Sequence, residues 1–79
     1  MDKIKEFKVY RRTQITEMRP YIVGEEISKF VYISLVDIRK GSPKQGDMIA
    51  RNPKNHADQW LIAKDDFQNN YEEIIKQTE

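Results

Sequence analysis

The sequence contains no cysteine and a single histidine. Without cysteine it has no disulfide, no thiolate nucleophile and no Cys-type zinc site, and one histidine excludes any site that needs two imidazoles. No apolar run approaches the ~20 residues that a membrane-spanning helix requires, and the charged N-terminus is untypical of a signal peptide. We therefore expect a soluble, cytosolic protein.

The 79 residues are enough for one small domain, residues 1–79, with an ordered part at about 5–75. Hydrophobic residues make up 38% of the chain and eight residues are aromatic, so we expect a core, but a thin one. Charge is unevenly placed: residues 1–57 carry twelve Lys and Arg against seven Asp and Glu, and residues 58–79 carry two against six. This balance argues against a strongly basic nucleic-acid-binding module.

A first strand is predicted over residues 7–15, where Phe7, Val9 and Ile15 share one parity although two polar residues interrupt it. The apolar residues then move from odd-numbered to even-numbered positions, which predicts a bulge or bend near residues 16–17.

Pro20 confines its own segment to a sheet edge or to coil. A second strand is predicted over residues 30–33. Ser34 then stands at a helix N-cap position and Gly41 at the C′ position, which favours a short helix between them. Alternatively, the second strand continues through this stretch, which contains a β-branched valine.

Residues 47–51 are predicted to form a third strand, and residues 52–58 a polar hairpin-type loop. Residues 59–63 form a near-continuous apolar run, which implies burial on both faces and hence a central strand.

The C-terminal part begins with Asp65 and Asp66, where acidic residues favour a helix start, and Asn69 and Asn70 favour its end. Residues 71–75 either continue as helix or form a closing strand. We favour a short helix followed by an extended segment.

These elements predict a small α+β, mostly β domain. It would contain a curled antiparallel sheet of four to five strands with one or two short helices, similar in architecture to SH3-like barrels. The predicted core consists of apolar side chains from along the chain: Phe7, Val9, Ile15, Ile33, Ile49, Trp60, Ile62 and Phe67.

Five short motifs accompany these elements: Tyr-Arg-Arg-Thr at 10–13, Met-Arg-Pro-Tyr at 18–21, Gly-Asp-Met-Ile-Ala-Arg-Asn-Pro and His-x-Asp-Gln-Trp-Leu-Ile within 41–63, and Phe-x-x-Asn-Tyr-Glu at 67–72. Over roughly residues 8–75 the chain resembles a family of small phage and prophage proteins of unknown function. It departs from that family at residues 29–33, which are more apolar. The resemblance implies expression in the cytoplasm of an infected or lysogenic bacterial host, and it brings no catalytic residues.

We expect no enzyme activity, no cofactor and no metal site. His56 and Asp58 would supply only two metal ligands from one flexible loop, and neither a nucleophile nor a pocket accompanies the histidine. The acidic pairs near the C-terminus lack the spacing of a calcium loop. The glycine-containing turn at residues 41–46 lacks the Lys-Ser/Thr of a phosphate loop.

The best candidate for partner binding is a basic and aromatic constellation, extended by two exposed-looking aromatic residues. On one face, such side chains could bind phosphates and stack on bases, or they could contact an acidic protein. The candidate residues are Tyr10, Arg11, Arg12, Arg19, Tyr21, Phe30 and Tyr32.

A second set of residues is expected to hold the fold together, with Trp60 in the core and three amide side chains available to its indole N–H or to the loop. This structural motif consists of Gly46, Asp47, Asn52, Pro53, His56, Asp58 and Trp60.

We therefore expect a non-enzymatic phage or prophage accessory protein that binds a host or defence macromolecule, as in host takeover or anti-defence inhibition. A bacterial protein is the favoured partner, and no membrane is involved. The alternatives are a small nucleic-acid-binding module and a minor structural or oligomeric phage component. A homo-oligomer would cover edge strands that the monomer leaves open.

Overall fold

A four-stranded mixed sheet and two short helices make up the fold in the computed structural model, which describes residues 5–75. Along the chain the elements are β1 (Glu17–Pro20), β2 (Val31–Tyr32), α1 (Leu35–Arg39), β3 (Met48–Asn52), β4 (Asn55–Ile62) and α2 (Lys64–Asn70). The strand order in the sheet is β1-β3-β4-β2. Residues 1–4 and 76–79, which fall outside the predicted ordered part, lie outside the described residues.

The β3–β4 hairpin is the longest pairing in the sheet. Met48 lies opposite Ile62 and Arg51 opposite Gln59, after which the register shifts. Only two residues form the turn, and β4 begins at Asn55. The loop predicted over seven residues is therefore wrong in extent, although the strand predicted after it is confirmed.

Three amide side chains stabilise the tip of this hairpin by bonding its backbone, which explains how so polar a run stays extended. The distances are 2.9 Å from Asn52 Oδ1 to Lys54 N, 3.2 Å from Asn55 Oδ1 to Ala57 N, and 2.6 Å from Gln59 Nε2 to His56 O.

The buried core lies on the two central strands. Among the described residues, the buried apolar side chains are Ile49, Ala50, Leu61 and Ile62, two from each strand of the hairpin. The predicted central position of β4 is confirmed by the strand order. Of the other predicted core residues, Ile33, Trp60 and Phe67 are half-buried.

The first predicted strand is wrong. Residues 5–16 form no strand, and Phe7 and Val9 are both 100% exposed, while Ile15 is 61% exposed. Burying that stripe would also bury Arg11 and Thr13, which share its parity. The free energy cost of burying an unpaired charge exceeds the free energy gained by burying the apolar side chains. The chain enters the sheet only at β1, after the predicted change of phase.

The sheet is not purely antiparallel, and this part of the prediction is also wrong. β1 pairs with β3 and β3 with β4 in antiparallel fashion, but β2 pairs with β4 in parallel. β1 and β2 lie at opposite edges and do not pair, so the sheet is open. β1 is an edge strand that ends at Pro20, as expected for a residue without an N–H.

The helix predicted after Ser34 is confirmed as α1, in place of a continued strand. Ser34 Oγ accepts a hydrogen bond from the N–H of Asp37 at 3.1 Å, and Gly41 has a φ of +99° just beyond the helix.

The second helix is confirmed as well: α2 carries Asp65 and Asp66 in its first turn and ends at Asn70. Tyr71 is extended, and its ring stacks on Phe67 with centroids 6.3 Å apart. Residues 71–75 form neither helix nor strand, in line with the extended segment that we favoured.

Candidate functional site

A buried carboxylate joins the turn before β3 to the start of α2. Asp47 is 1% exposed, and its Oδ2 accepts hydrogen bonds from Ser42 Oγ at 2.7 Å and from the Lys44 N–H at 2.9 Å. Its Oδ1 accepts a bond from the Lys64 N–H at 3.0 Å. We call these four residues the Asp47 cluster. Because every contact comes from its own chain, the carboxylate is satisfied structurally and is not presented to a substrate.

The Asp47 cluster also supplies the cap that α2 lacks. Ala63 at the N-cap has no side-chain acceptor, so Asp47 takes up a free amide of the first turn from seventeen residues away. Its negative charge lies at the positive end of the helix dipole, which is a favourable position.

Gly46 allows this close approach. Its φ is +98°, and a Cβ at this position would lie 2.6 Å from Lys64 Cδ. The backbone conformation therefore favours glycine, and any other residue would also have to displace the Lys64 side chain at the start of α2.

Arg19, one of the candidate binding residues, is held by Glu25. The guanidinium donates to both carboxylate oxygens at 2.8 and 2.7 Å, and Glu25 also accepts from the Ile22 N–H at 2.7 Å. The hydrogen bond from Arg19, followed by that from Ile22, lowers the pKa of Glu25 to about 2. The same pair raises the pKa of Arg19 above its ordinary value.

This pair predicts an acid-sensitive contribution to stability. Because the folded-state pKa of Glu25 lies below the unfolded-state value near 4.5, the contribution is present above pH 4.5 and is lost as pH falls toward 2. We expect Glu25→Gln to flatten this part of the acid unfolding curve, measured as the urea midpoint at each pH. Glu26→Gln, which changes the exposed neighbour, is the control and should leave the slope unchanged. Equal slopes for Glu25→Gln and the wild type would contradict the assignment.

His56 of β4 lies in a polar surface cluster with Glu17 of β1 and Arg51 of β3. Arg51 Nε lies 2.6 Å from Glu17 Oε1, and His56 Nε2 lies 3.7 Å from the same oxygen. All three side chains are about half exposed, and no nucleophile accompanies them. The cluster is therefore an exposed cross-strand charge network, typical of a sheet surface.

The seven candidate binding residues do not form one face. Tyr10, Arg11 and Arg12 lie in the extended N-terminal segment, whereas Phe30 and Tyr32 lie at the β2 edge. Two strands separate that edge from β1, a distance of about 14 Å across the sheet. Tyr21 is half-buried directly after β1, where its N–H donates to Asp47 O at 2.9 Å.

An open groove on the β1 side was not predicted. One wall is residues 11–16, the other is the end of α2 with residues 71–74, and Met18, Pro20 and Met48 form its floor. Its volume is about 1080 Å³. The helical spacing of Phe67, Tyr71 and Ile74 was the one sequence signal for this groove. Spacing alone does not indicate which part of the fold these residues face.

Comparisons with known protein families, with curated proteins and with solved structures found no match to this chain. The site therefore has to be interpreted from its own geometry. Across residues 5–75, no helix is long and apolar enough to cross a membrane, and no three His, Asp or Glu side chains are grouped to hold a metal ion.

Most of the large apolar side chains in residues 5–75 are exposed to solvent. Thirteen large hydrophobic residues of the described chain are exposed, against four apolar residues in the core. Seven of the thirteen lie between residues 22 and 38. We call the five of them at β2 and α1 the β2–α1 surface: Phe30, Tyr32, Leu35, Val36 and Ile38.

Proposed function

We propose that this chain is a non-enzymatic phage or prophage accessory protein that acts by binding a bacterial protein in the host cytoplasm. The observation that carries the proposal is the excess of exposed over buried large apolar side chains. Soluble monomers rarely expose large contiguous apolar patches, and such patches mark binding surfaces. The phage origin rests on the motif resemblance alone.

The β2–α1 surface is the best candidate for the contact with that partner. It combines aromatic residues, which are enriched among binding hot spots, with the aliphatic face of α1. It also contains β2, an edge strand of two residues with one side unpaired in the sheet. An extended segment of a partner can add to such an edge through main-chain hydrogen bonds.

Charge around this surface favours an acidic partner. Lys29, Arg39, Lys40 and Lys44 are exposed in or beside it, against two acids, Glu26 and Asp37, and Glu25 of the same region is already bound to Arg19. Basic residues around an apolar centre speed association with a negatively charged surface and suppress binding to basic ones.

Nucleic-acid binding is the second candidate, supported by the consecutive and exposed Tyr10, Arg11 and Arg12. Against it, the other two arginines near β1 are bound to carboxylates: Arg19 to Glu25 and Arg51 to Glu17. The cations available for phosphate contacts are therefore fewer than the sequence suggested.

The test is recovery of partners by the tagged full chain from bacterial lysate, with the partner then purified and its affinity measured. We expect Tyr32→Ala and Leu35→Ala each to weaken that affinity by roughly 30-fold, the effect of losing a hot-spot side chain. Both residues are more than half exposed, so the variants should remain folded.

Tyr10→Ala is the matched control, because Tyr10 is also exposed but lies far from β2 along the chain. Unchanged affinity of both β2–α1 variants would overturn this surface as the contact. Recovery that disappears after nuclease treatment, and with Arg11→Ala plus Arg12→Ala, would replace protein binding by nucleic-acid binding. Recovery of the chain itself and of no other protein would instead support a structural or oligomeric phage component.

A further inference from the structure

The N-terminal segment makes no use of its apolar side chains within its own chain. Residues 5–10, which we call the arm, form neither helix nor strand. Phe7 and Val9 are 100% exposed and Tyr10 is 84% exposed. Phe7 and Val9 share one parity, so in extended chain both side chains point to the same side. The arm therefore presents an apolar stripe that nothing in the described chain covers.

The groove on the β1 side has the complementary character. Its floor and part of its far wall are apolar, with Met18, Met48, Phe67 and Ile74 among the lining residues. Its volume of about 1080 Å³ leaves room for several large side chains. Ile15 and Ile74 beside it are more than half exposed.

Charge favours the arm as the occupant of this groove. The arm carries Lys5 and Lys8 against the single Glu6. The far wall of the groove carries Glu72 and Glu73, the near wall carries Arg11 and Arg12, and within residues 5–75 no ion pair neutralises the two acids. A basic arm beside an acidic wall is a complementary arrangement.

The arm cannot easily reach the groove of its own chain. Residues 11–16, which follow directly, already form one wall of that groove, so the arm would have to reverse direction within a few residues. The segment from Lys5 to Thr16 contains no glycine or proline, and its β-branched and aromatic residues favour extended chain. An extended arm is therefore disfavoured from folding back into the groove of its own chain.

We propose that the arm of one copy lies in the groove of a second copy, and that the exchange is reciprocal in a two-fold symmetric dimer. Phe7 and Val9 of each arm cover the apolar floor, and the arm's cations face Glu72 and Glu73 of the other copy. The radius of gyration, 16.1 Å, shows a chain that is more extended than a compact domain of this length, for which about 12 Å is expected.

The first test is the mass in solution, measured by sedimentation equilibrium across a concentration series. We expect the wild-type chain to approach twice its 9.4 kDa mass. Phe7→Ser combined with Val9→Ser should raise the dimer dissociation constant by at least 100-fold. Because both side chains are fully exposed in the single chain, the double variant should keep the wild-type circular dichroism spectrum. Val36→Ser, at an exposed position of α1, is the matched control and should leave the dimer intact.

The second test locates the contact and uses the absence of native cysteine. Two differently tagged chains, one Val9→Cys and the other Ile74→Cys, are mixed and oxidised. We expect a disulfide-linked heterodimer from this pair and none from Val9→Cys mixed with Val36→Cys. A monomeric wild type, a dimer unaffected by the double arm variant, or equal cross-linking of both pairs would each overturn the proposal.

Discussion

Replacing Asp47 with alanine is expected to destabilise the chain more than any other single change of a polar residue. The carboxylate accepts three hydrogen bonds while 1% exposed, and each bond to a charged group contributes about 1.5–3 kcal/mol. Its removal also leaves the Ser42 hydroxyl buried without its acceptor. We expect a loss of about 3–5 kcal/mol, out of the roughly 4–12 kcal/mol that a chain of this length has.

The measurement is urea unfolding followed by far-ultraviolet circular dichroism, at one fixed protein concentration because association would raise the apparent stability. Asp65→Ala is the control, since Asp65 is an exposed acid in the first turn of α2 and should cost at most about 1 kcal/mol. Asp47→Asn keeps the shape and part of the accepting capacity, so it should fall between the two. A loss for Asp47→Ala no larger than that for Asp65→Ala would show that the Asp47 cluster does not stabilise the fold.

Leu61→Ala is expected to have the second large effect. Leu61 is 6% exposed on β4 and lies opposite Ile49, so its truncation leaves a cavity between the two central strands. Such changes cost about 2–5 kcal/mol. With only four buried apolar side chains among the described residues, little neighbouring structure can collapse into that space.

The same substitution at Leu35 provides the comparison. Leu35 is 58% exposed on α1, so Leu35→Ala should change the free energy of unfolding by less than about 0.5 kcal/mol. Both variants are measured by thermal unfolding at equal concentration. Similar losses at the two positions would mean that α1 is covered in solution, and the core assigned here to β3 and β4 would be incomplete.

The elements that local signals specify were predicted correctly. Ser34 and Gly41 bracket α1, acidic residues mark the start of α2, and the apolar run at the end of β4 indicates a central strand. These signals involve neighbouring residues only, so a single sequence contains them in full.

Long-range features were not predictable in the same way. The parallel pairing of β2 with β4 depends on how the chain crosses over between them, and two residues of strand carry no information about direction. An aspartate after glycine is typical of an exposed turn, so nothing in the sequence distinguishes Asp47 as a buried cap for α2. The prediction for the arm was wrong for a related reason. Its apolar residues were assigned to the core of their own chain, although they remain outside it.

The sequence predicted which residues the candidate site would contain, but not how they are arranged. The sequence indicated the aromatic and basic residues, but the Arg19–Glu25 pair joins residues six positions apart across a turn and removes one of those cations. The distance between β1 and the β2 edge follows from the strand order, which the residues themselves do not reveal.

The placement of the core has a consequence for how such a protein can evolve. All four buried apolar residues lie between positions 48 and 62, in one contiguous hairpin, while the β2–α1 surface and the arm come from earlier parts of the chain. On the proposed function, substitutions that retarget the β2–α1 surface to a new partner need not touch these four buried residues. Recognition can then diversify while the apolar core stays constant.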